Sequence, residues 1–383
     1  MDKLKVMTIF GTRPEAIKMA PLVKELKKHE QIETTVCVTA QHRQMLDQVL
    51  EMFDIKADYD LDIMKDKQTL ADITTRALKG LSDVLEEAGP DIVLVHGDTT
   101  TTFVGSLAAF YKKISVGHVE AGLRTYEKYF PYPEEINRKL TGVLADLHFA
   151  PTNINKNNLL LEGVKPDKIF VTGNTVIDAI KTSVKENYCF RTDLLKSLDF
   201  GRKRILTVTA HRRENLGQPL NNICSALKHI ADNYTDVEIV YPVHLNPIVR
   251  DTAVSILGNH SRIHLIDPLD VQDMHNLIDK SYIVLTDSGG LQEEAPSLGK
   301  PVLVLRNETE RPEAVSAGTV RIAGTERDNI IAMTSGLLGD RDDYNRMAHA
   351  VNPYGDGFAS GRIAQALLYE YKFSSEKPEE FII

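Results

Sequence analysis

A segment rich in small residues has the composition of a diphosphate-binding loop. Residues 286–295 read TDSGGLQEEA and directly follow the apolar run Ile283–Leu285, so a tight turn is predicted where a buried strand gives way to a helix. Two glycines let the backbone approach an anion closely, and the first amides of the helix present unpaired N–H groups and the positive end of its dipole. Glu293 and Glu294, one turn later, can accept hydrogen bonds from sugar hydroxyls. The same pattern also occurs in ordinary tight turns, so other clusters must support it.

Four further polar clusters also follow apolar segments of strand length. In one of them Arg13 carries a planar guanidinium suited to phosphate, and Lys18 adds a second cation one helical turn later. Neither the glycine pattern of dinucleotide-binding loops nor a Walker loop is present, so neither NAD nor ATP is indicated. Ligands of open α/β sheets bind at the carboxyl ends of strands, so we expect all these clusters to border a ligand site. The four clusters are Gly11–Glu15, His96–Thr99, Glu120–Arg124 and His211–Asn215.

Several acids in these clusters are suited to proton transfer. Asp98 and Glu120 follow predicted strands, where burial can raise the pKa of one carboxyl while nearby cations lower that of another. Glu134 and Glu135 begin a predicted helix, where acids commonly only cap the helix, and capping is the favoured interpretation of Glu135. His211 follows a strand and, when protonated, can neutralise a leaving phosphate. The pattern therefore indicates acid and base groups beside an anion site.

Short apolar segments alternate with amphipathic helical patterns along the chain, which predicts parallel sheets with crossover helices. The strands fall into two series, so we expect two doubly wound, Rossmann-like α/β domains at 1–172 and 173–359, with a C-terminal helix at about 360–383 packing back on the first. We interpret the charged stretch Lys185–Arg204 as the linker region and Asp58–Asp62 as a solvated acidic loop. The predicted strands are Val6–Phe10, Thr35–Thr39, Ile92–Val95, Ser115–Val119, Ile205–Val208, Glu238–Tyr241, Ile263–Ile266, Ile283–Thr286 and Val302–Leu305.

Length and composition exclude several classes of protein. A chain of 383 residues with 42% hydrophobic and 26% charged residues is typical of a soluble protein with two domains. A net charge of −9 without a basic stripe argues against nucleic-acid binding. No apolar run is long enough for a membrane span and no secretory signal is recognised, so we expect a cytoplasmic protein. Three widely spaced cysteines predict no disulfide, and His118-Val119-Glu120 lacks the C-x-x-C partner of a zinc site, so no metal is expected.

Seven motifs in one order resemble the bacterial non-hydrolysing UDP-N-acetylglucosamine 2-epimerases. The resemblance spans essentially the whole chain and implies the two-domain glycosyltransferase-B fold, commonly as a homodimer. It also implies interconversion of UDP-GlcNAc and UDP-ManNAc without cofactor or metal, with the product supplying cell-surface polysaccharides. The motifs are GTRPEAIKMAPL (11–22), HGDTTTT (96–102), HVEAGLRT (118–125), PEEINR (133–138), HRREN (211–215), DSGGLQEEAPSLGKPVLVLR (287–306) and ERPEAV (310–315).

The family resemblance implies a role for each motif. Elimination of UDP breaks the C1–O bond and removes the C2 proton, giving a 2-acetamidoglucal to which UDP adds again. The candidates for proton transfer are Asp98, Glu120 and Glu134, supported by Lys18 and Arg138, and which carboxylate serves which face of C2 stays open. The leaving diphosphate and the nucleotide are assigned to Arg13, His211, Ser288, Gly289, Gly290, Glu294, Arg311 and Met274.

The resemblance further implies a second pocket in which some family members bind UDP-GlcNAc as an activator. Two substitutions distinguish this chain from the common pattern. Lys67 stands where relatives often carry Arg, which replaces a bidentate fork with a point charge, and Met274 stands where an aromatic residue is common in the uracil pocket. The residues assigned to the activator pocket are Gln41, His42, Gln44, Gln68 and His244.

Three other functions remain open from the sequence. A UDP-sugar glycosyltransferase uses the same fold and diphosphate loop, but the several acids around Glu120 and Glu134 argue against it because a transferase needs only one base. A hydrolysing epimerase uses the same elimination and releases free ManNAc, although such enzymes usually belong to longer chains or lack this motif spacing. A nucleotide-sugar sensor would keep the binding residues, but the presence of all the candidate acids disfavours it.

Overall fold

The first half of the chain forms a parallel sheet of seven strands in the order β3-β2-β1-β4-β5-β6-β7. A computed structural model describes residues 3–41, 43–65 and 68–382, with the side chains of residues 44 and 45 left out. The middle strands are apolar on both faces, as expected for a parallel sheet covered by helices on both sides. The strands are β1 (Leu4–Phe10), β2 (Ile32–Val38), β3 (Tyr59–Asp60), β4 (Ile92–His96), β5 (Ser115–Val119), β6 (Leu147–Ala150) and β7 (Ile169–Val171).

Helices connect these strands, and several begin at residues well suited to a helix start. In the first helix the Thr12 side chain accepts from the Glu15 amide, while the Glu15 carboxylate accepts from the Thr12 amide at 2.8 Å, which satisfies two amides that have no partner within the helix. Thr99 caps the fourth helix in the same position by accepting from the amide of Thr102. The helices are α1 (Arg13–Leu26), α2 (Arg43–Met52), α3 (Leu70–Ala88), α4 (Thr100–Tyr111), α5 (Glu134–Leu144), α6 (Asn153–Leu161) and α7 (Thr175–Ser183).

The second half forms another parallel sheet, of six strands in the order β10-β9-β8-β11-β12-β13. Its strands are β8 (Arg204–Thr209), β9 (Val237–Pro242), β10 (Ile263–Ile266), β11 (Ile283–Thr286), β12 (Val302–Val304) and β13 (Val320–Ile322). The remaining helices are α8 (Asp193–Ser197), α9 (Gln218–Asn233), α10 (Pro247–Leu257), α11 (Val271–Lys280), α12 (Gly289–Ser297), α13 (Pro312–Ser316), α14 (Arg327–Gly339), α15 (Arg341–Ala348) and α16 (Ala359–Glu370). Two doubly wound α/β domains, the fold class predicted from the sequence, are confirmed.

Two compact units contain these sheets. The first unit comprises the chain up to Lys181 together with Tyr354–Ile382, and the second comprises Thr182–Pro353. Helix α16 packs against α1 of the first unit. The first unit continues beyond residue 172 because the buried Asp178 of α7 accepts hydrogen bonds from the amides of Ala359 at 3.2 Å and Ser360 at 2.8 Å. These bonds cap α16 and hold α7 in the same unit.

Two sequence interpretations are wrong. The charged stretch Lys185–Arg204 is not simply a linker, because Phe190 and Leu195 within it are buried in a hydrophobic cluster of the second unit with Ile205 of β8. Asp58–Asp62 is not only a solvated loop, because its central residues form the edge strand β3 next to β2. The short strands β6, β7 and β13, of three or four residues, were also absent from the prediction.

The strand order fixes where a ligand site is expected in each sheet. The direction of strand addition reverses between β1 and β4 in the first unit and between β8 and β11 in the second. Such a switch point opens a crevice at the carboxyl ends of the strands, where α/β proteins bind ligands. Four of the five predicted clusters follow these four strands. In the part of the chain that the structure describes, no helix has the length and apolarity needed to cross a membrane.

Candidate active site

Glu120 follows β5 and is the most constrained acid of the first unit. Its backbone has φ of +60°, a left-handed conformation that non-glycine residues adopt rarely and that is often found at functional sites. One carboxylate oxygen, Oε2, lies 2.5 Å from Lys18 Nζ and 3.1 Å from His96 Nε2. Burial by itself raises the pKa of the Glu120 carboxyl, but Lys18 and His96 outweigh it, so the pKa lies well below its usual range. Glu120 is therefore a buried but ionised carboxylate.

Asp98 lies in the turn after β4, two residues beyond His96. Its carboxylate forms an ion pair with Arg138 of α5, and its backbone carbonyl accepts from the Asn137 side chain at 3.0 Å. The Asp98 side chain keeps 26% of its surface exposed, whereas the Arg138 side chain keeps 11%. Helix α5 therefore fixes the orientation of Asp98 through two neighbouring residues.

Glu134 and Glu135 both begin α5 but differ in their surroundings. Glu135 is fully buried and accepts from the amides of Thr125 and Tyr126, each at 3.1 Å. These amides belong to the loop before α5, so Glu135 stabilises that loop. Capping would instead require that Glu135 bind the first amides of its own helix. Among the described residues, none donates a hydrogen bond to the buried Oε2 of Glu134. An unpaired buried carboxylate oxygen is costly in free energy, which makes Glu134 a candidate for contact with a ligand.

Arg13 is the first residue of α1, directly beyond β1. Within residues 3–41, 43–65 and 68–382, no acid forms an ion pair with its guanidinium, which leaves the charge available to an anion. Its position is fixed by Glu15, which is buried and accepts from the Gly11 amide at 3.0 Å and from the Thr99 hydroxyl at 2.6 Å. Glu15 thus joins the loops that follow β1 and β4, a role that the sequence analysis missed although the T-x-x-E capping pattern marks it.

The second unit contains the predicted diphosphate loop. Ser288 directly precedes α12, and the helix begins at Gly289 without a capping hydrogen bond from the serine side chain. A Cβ atom added to Gly289 would lie 3.9 Å from Arg212 Nη2 and 4.0 Å from Arg311 Nη2. Two guanidinium groups thus lie beside the positive end of the helix. This arrangement is suited to a doubly charged phosphate group.

Asp287 organises the residues that follow β8. It is fully buried and accepts from the backbone amides of His211 and Arg212, both at 2.7 Å, and from the Asn215 side chain at 3.0 Å. The His211 ring lies 3.4 Å from the second Asp287 oxygen and stacks on His244, with ring centroids 5.2 Å apart.

Burial lowers the pKa of the His211 imidazole and Asp287 opposes this effect, but His244 and Arg212 add to the lowering. The protonated imidazole expected from the sequence is therefore disfavoured before an anion binds. A bound diphosphate would favour it again because an opposite charge stabilises the charged form.

Two predicted nucleotide contacts lie on neighbouring helices of the second unit. Glu294 of α12 has a mostly buried side chain, and its Oε2 lies 3.5 Å from His275 Nε2. Met274 is half-buried in α11, directly before His275. Arg311 forms an ion pair with the buried Glu293, which orients its guanidinium.

The predicted activator residues are placed only in part. Gln68 Nε2 donates to the Gln41 carbonyl at 3.4 Å, and Arg76 donates to Gln68 Oε1 at 2.6 Å, so two of the residues are brought together in the first unit. His42, Lys67 and the side chain of Gln44 lie outside the described residues. His244 lies in the second unit, against His211.

Several residues of the site were not nominated from the sequence as functional. His96 and Asp287 each lie within a predicted cluster, but their roles depend on contacts with residues that follow neighbouring strands, which the motifs do not reveal. Arg212 belongs to the HRREN motif, but nothing in the motif separates it from Arg213. The described residues contain no group of three or more His, Cys, Asp or Glu side chains placed to hold a metal ion.

A family model describing UDP-N-acetylglucosamine 2-epimerases matches residues 24–368 of the chain. The chain belongs to the UDP-N-acetylglucosamine 2-epimerase family. The family predicted from the seven motifs is thereby confirmed, and its members are isomerases. The Bacillus subtilis UDP-N-acetylglucosamine 2-epimerase is 60% identical to this chain over 382 residues, which covers 100% of the chain and 99% of that protein.

Solved structures in the family extend the similarity to three dimensions. The Neisseria meningitidis UDP-GlcNAc 2-epimerase, bound to UDP-GlcNAc, is 53% identical with a TM-score of 0.84, covering 95% of this chain and 99% of that one. The Methanocaldococcus jannaschii UDP-GlcNAc 2-epimerase, in complex with UDP-GlcNAc and UDP, is 34% identical with a TM-score of 0.75, again covering 95% and 99%. The fold is therefore shared with two proteins whose structures contain UDP-GlcNAc.

Proposed function

We propose that the chain catalyses the reversible C2 epimerisation of UDP-GlcNAc to UDP-ManNAc without net hydrolysis. The observation that carries this proposal is Glu120, a carboxylate kept ionised although it is buried, with Lys18 and His96 on one of its oxygens. A second carboxylate, Asp98, follows the neighbouring strand. A left-handed backbone at a non-glycine residue is often found at functional sites, and a carboxylate that stays ionised is able to accept a proton from carbon. Family relatives bound to UDP-GlcNAc support the choice of substrate.

The reaction consists of an elimination and its reversal. A carboxylate removes the proton from C2, the electron pair of the C–H bond forms the C1–C2 double bond, and the C1–O bond breaks with its electron pair leaving on UDP. The product pair is 2-acetamidoglucal and UDP. Addition of UDP to C1, with a proton delivered to the opposite face of C2, gives the epimer. No atom is gained or lost overall, so no cofactor is needed for the balance.

Three carboxylates are proposed for the two proton transfers. Asp98 and Glu120 each form an ion pair with a cation, and the pKa of Glu120 is thereby held well below its usual range. Glu134, whose buried Oε2 accepts no hydrogen bond from any of the described residues, completes the set. Lys18 is proposed to keep Glu120 ionised and oriented. Arg138 is proposed to orient Asp98. One proton-transfer group typically contributes about 10²- to 10⁴-fold to a rate.

The leaving diphosphate is assigned to cationic groups and helix amides. In the second unit, the start of α12 at Ser288-Gly289-Gly290 offers backbone amides, and Arg311 lies beside it. His211 is proposed to become protonated when the diphosphate arrives and to neutralise the charge that forms as the C1–O bond breaks. Arg13, which has no acidic partner among the described residues, is proposed to bind an anionic group of the substrate.

The remaining assignments concern the nucleotide and the activator. Glu294 is proposed to accept the ribose hydroxyls and Met274 to line the uracil pocket. Gln41 and Gln68, which contact each other, are proposed to bind a second UDP-GlcNAc as activator, and His42, Gln44 and His244 are assigned to the activator on the family resemblance alone. Lys67 is expected to weaken activator binding relative to an arginine.

Three biological features are proposed on the family resemblance. They are a homodimeric assembly, a cytoplasmic location, and supply of ManNAc units to cell-surface polysaccharides. The location and the polysaccharide supply also fit the proposed chemistry, since a nucleotide sugar is made where its glycosyltransferases use it.

The test is proton NMR of UDP-GlcNAc incubated with the purified chain in D₂O. We expect a new manno anomeric signal and deuterium at C2 in both UDP-sugars. Each return from the glycal adds a deuteron to C2, because the acidic groups of the protein exchange their protons with D₂O. Release of free ManNAc would instead identify a hydrolysing epimerase. No change in UDP-GlcNAc would contradict the proposal and favour a glycosyltransferase or a sensor.

A further inference from the structure

A serine and a histidine form a buried chain of contacts behind Glu294. Ser183 Oγ lies 2.5 Å from His275 Nδ1, and His275 Nε2 lies 3.5 Å from Glu294 Oε2. Ser183 and His275 are each 3% exposed, and all three residues belong to the second unit. The side chain of Glu294 keeps 15% of its surface exposed. The chain therefore runs from a buried hydroxyl to a carboxylate that reaches the protein surface.

One placement of the protons is compatible with both contacts of His275. A neutral imidazole has one N–H donor and one acceptor nitrogen. When the Ser183 hydroxyl donates to Nδ1, the remaining proton lies on Nε2 and faces Glu294. The adjacent Asn276 anchors the same helix: it accepts from the Lys185 amide at 3.0 Å and donates to the Ser183 carbonyl at 3.1 Å. The ring of His275 thus contacts Ser183 through Nδ1 and Glu294 through Nε2, on a helix that Asn276 anchors.

The second oxygen of Glu294 faces the start of α12. A Cβ added to Gly290 would lie 3.2 Å from Glu294 Oε1, which places this oxygen beside the loop assigned to the diphosphate. Throughout the described ranges, no donor forms a hydrogen bond with Oε1. His275 therefore contacts one oxygen and leaves the other open to a ligand hydroxyl.

We propose that His275 is a positioning residue, through which Ser183 holds the Glu294 carboxylate in the direction that accepts the ribose hydroxyls of the nucleotide. The inference rests on the proposed function, which assigns those hydroxyls to Glu294. A carboxylate free to rotate on three side-chain bonds must be ordered when the ligand binds, and this ordering costs affinity. The contact with His275 orders the carboxylate beforehand.

Two substitutions of His275 separate its two contacts. His275→Asn keeps a polar group near the Nδ1 position, within reach of Ser183, but removes the donor to Glu294. His275→Gln keeps an N–H donor near the Nε2 position. Binding of UDP and of 2′,3′-dideoxy-UDP is measured by isothermal titration calorimetry on the full chain, with His229→Asn on α9 as the control for loss of a histidine elsewhere in the unit.

We expect His275→Asn to weaken UDP binding about tenfold, because the Glu294 carboxylate loses the 3.5 Å contact that orders it before the ligand binds. The same variant should bind dideoxy-UDP as the unaltered chain does, and His275→Gln should recover most of the affinity for UDP. Because His275 is buried, its variants can lose stability. Ser183→Ala, which removes only a hydroxyl, is therefore measured too and should weaken UDP binding by about threefold without affecting dideoxy-UDP.

Two outcomes would overturn the inference. Equal weakening of both ligands in His275→Asn or Ser183→Ala would mean that the chain of contacts only supports the fold. Equal affinity of the unaltered chain for UDP and dideoxy-UDP would mean that Glu294 does not bind the ribose hydroxyls. Either result leaves the proposed epimerisation intact, because that activity is decided separately by deuterium incorporation at C2.

Discussion

Removal of the Lys18 charge should change the pH dependence of the reaction more than any other single change on α1. Lys18 and His96 share one oxygen of Glu120, and their charges outweigh burial in setting its pKa. Lys18→Met keeps a side chain of similar length without the ammonium group. The effect of burial, which raises the pKa of Glu120, is then opposed by His96 alone. The pKa of Glu120 therefore rises, and the limb of the pH–rate profile that reports its ionisation moves to higher pH.

The size of the effect follows from the burial of the pair. The Lys18 and Glu120 side chains are only 18% and 9% exposed, so solvent screens their attraction weakly. One proton-transfer group typically contributes about 10²- to 10⁴-fold to a rate, and since Glu120 itself and His96 remain, we expect the lower value, a fall of roughly 10²-fold in kcat/KM at pH 7. The assay is the initial rate of UDP-ManNAc formation between pH 5 and pH 9.

The matched control is Lys27→Met, which removes the same charge from an exposed position at the end of α1. Its kcat/KM and pH profile should equal those of the unaltered chain, and thermal unfolding of both variants verifies that they are folded. A Lys18→Met profile that coincides with that of Lys27→Met would refute the reasoning, because Glu120 would then be ionised without help from Lys18.

Three further changes test other parts of the structure. Gly290→Ala places a Cβ 3.2 Å from Glu294 Oε1 and beside the predicted phosphate position, so UDP affinity should fall about tenfold with little change in stability. Unchanged UDP binding by calorimetry would contradict the phosphate assignment. Gly122→Ala puts a Cβ 2.3 Å from the Asn155 carbonyl at a residue with φ of +91°, so it should lower the free energy of unfolding by about 2 kcal/mol or more. The control Gly336→Ala, which has open space around the new Cβ, should not lower it. Equal denaturation midpoints of the two variants would count against the packing described. Burial lowers the pKa of His148 to about 4, so the contribution of His148 to stability is complete above about pH 6.5 and is lost as the pH falls toward 4. His148→Phe should therefore reduce the loss of unfolding free energy between pH 7 and pH 4.5 by up to about 3 kcal/mol, which is seen as a smaller fall in melting temperature. An unchanged fall in melting temperature would disprove the assignment.

The sequence predicts the convergence of residues at strand ends because this depends only on strand order. Once β8 and β11 are recognised as parallel strands of one sheet, His211 and Ser288 must lie at the same edge, and the structure places them there. The pairing of Glu120 with His96 could not be predicted in the same way. It requires the register between β4 and β5, which places His96 opposite Val119, and also the left-handed backbone at Glu120.

The errors in the fold prediction also have a physical cause. The stretch Lys185–Arg204 has the charged composition of a linker, yet Phe190 and Leu195 are enough to bury it against β8. A few apolar side chains can outweigh many charges because the charges remain in water while the apolar groups leave it. Strand β3 has two residues and exists only because β2 offers unpaired hydrogen-bonding groups at the sheet edge.

Breakage and re-formation of the C1–O bond is the central chemical claim, and positional isotope exchange tests it most directly. UDP-GlcNAc carrying ¹⁸O in the bridge between C1 and the β-phosphorus is incubated with the chain until the two UDP-sugars equilibrate, and ³¹P NMR locates the label. If UDP leaves and returns, rotation of the free β-phosphate moves part of the label from the bridge to the non-bridging oxygens. Epimerisation with the label retained entirely in the bridge would contradict elimination, because C2 would then have exchanged its proton while the C1–O bond stayed intact.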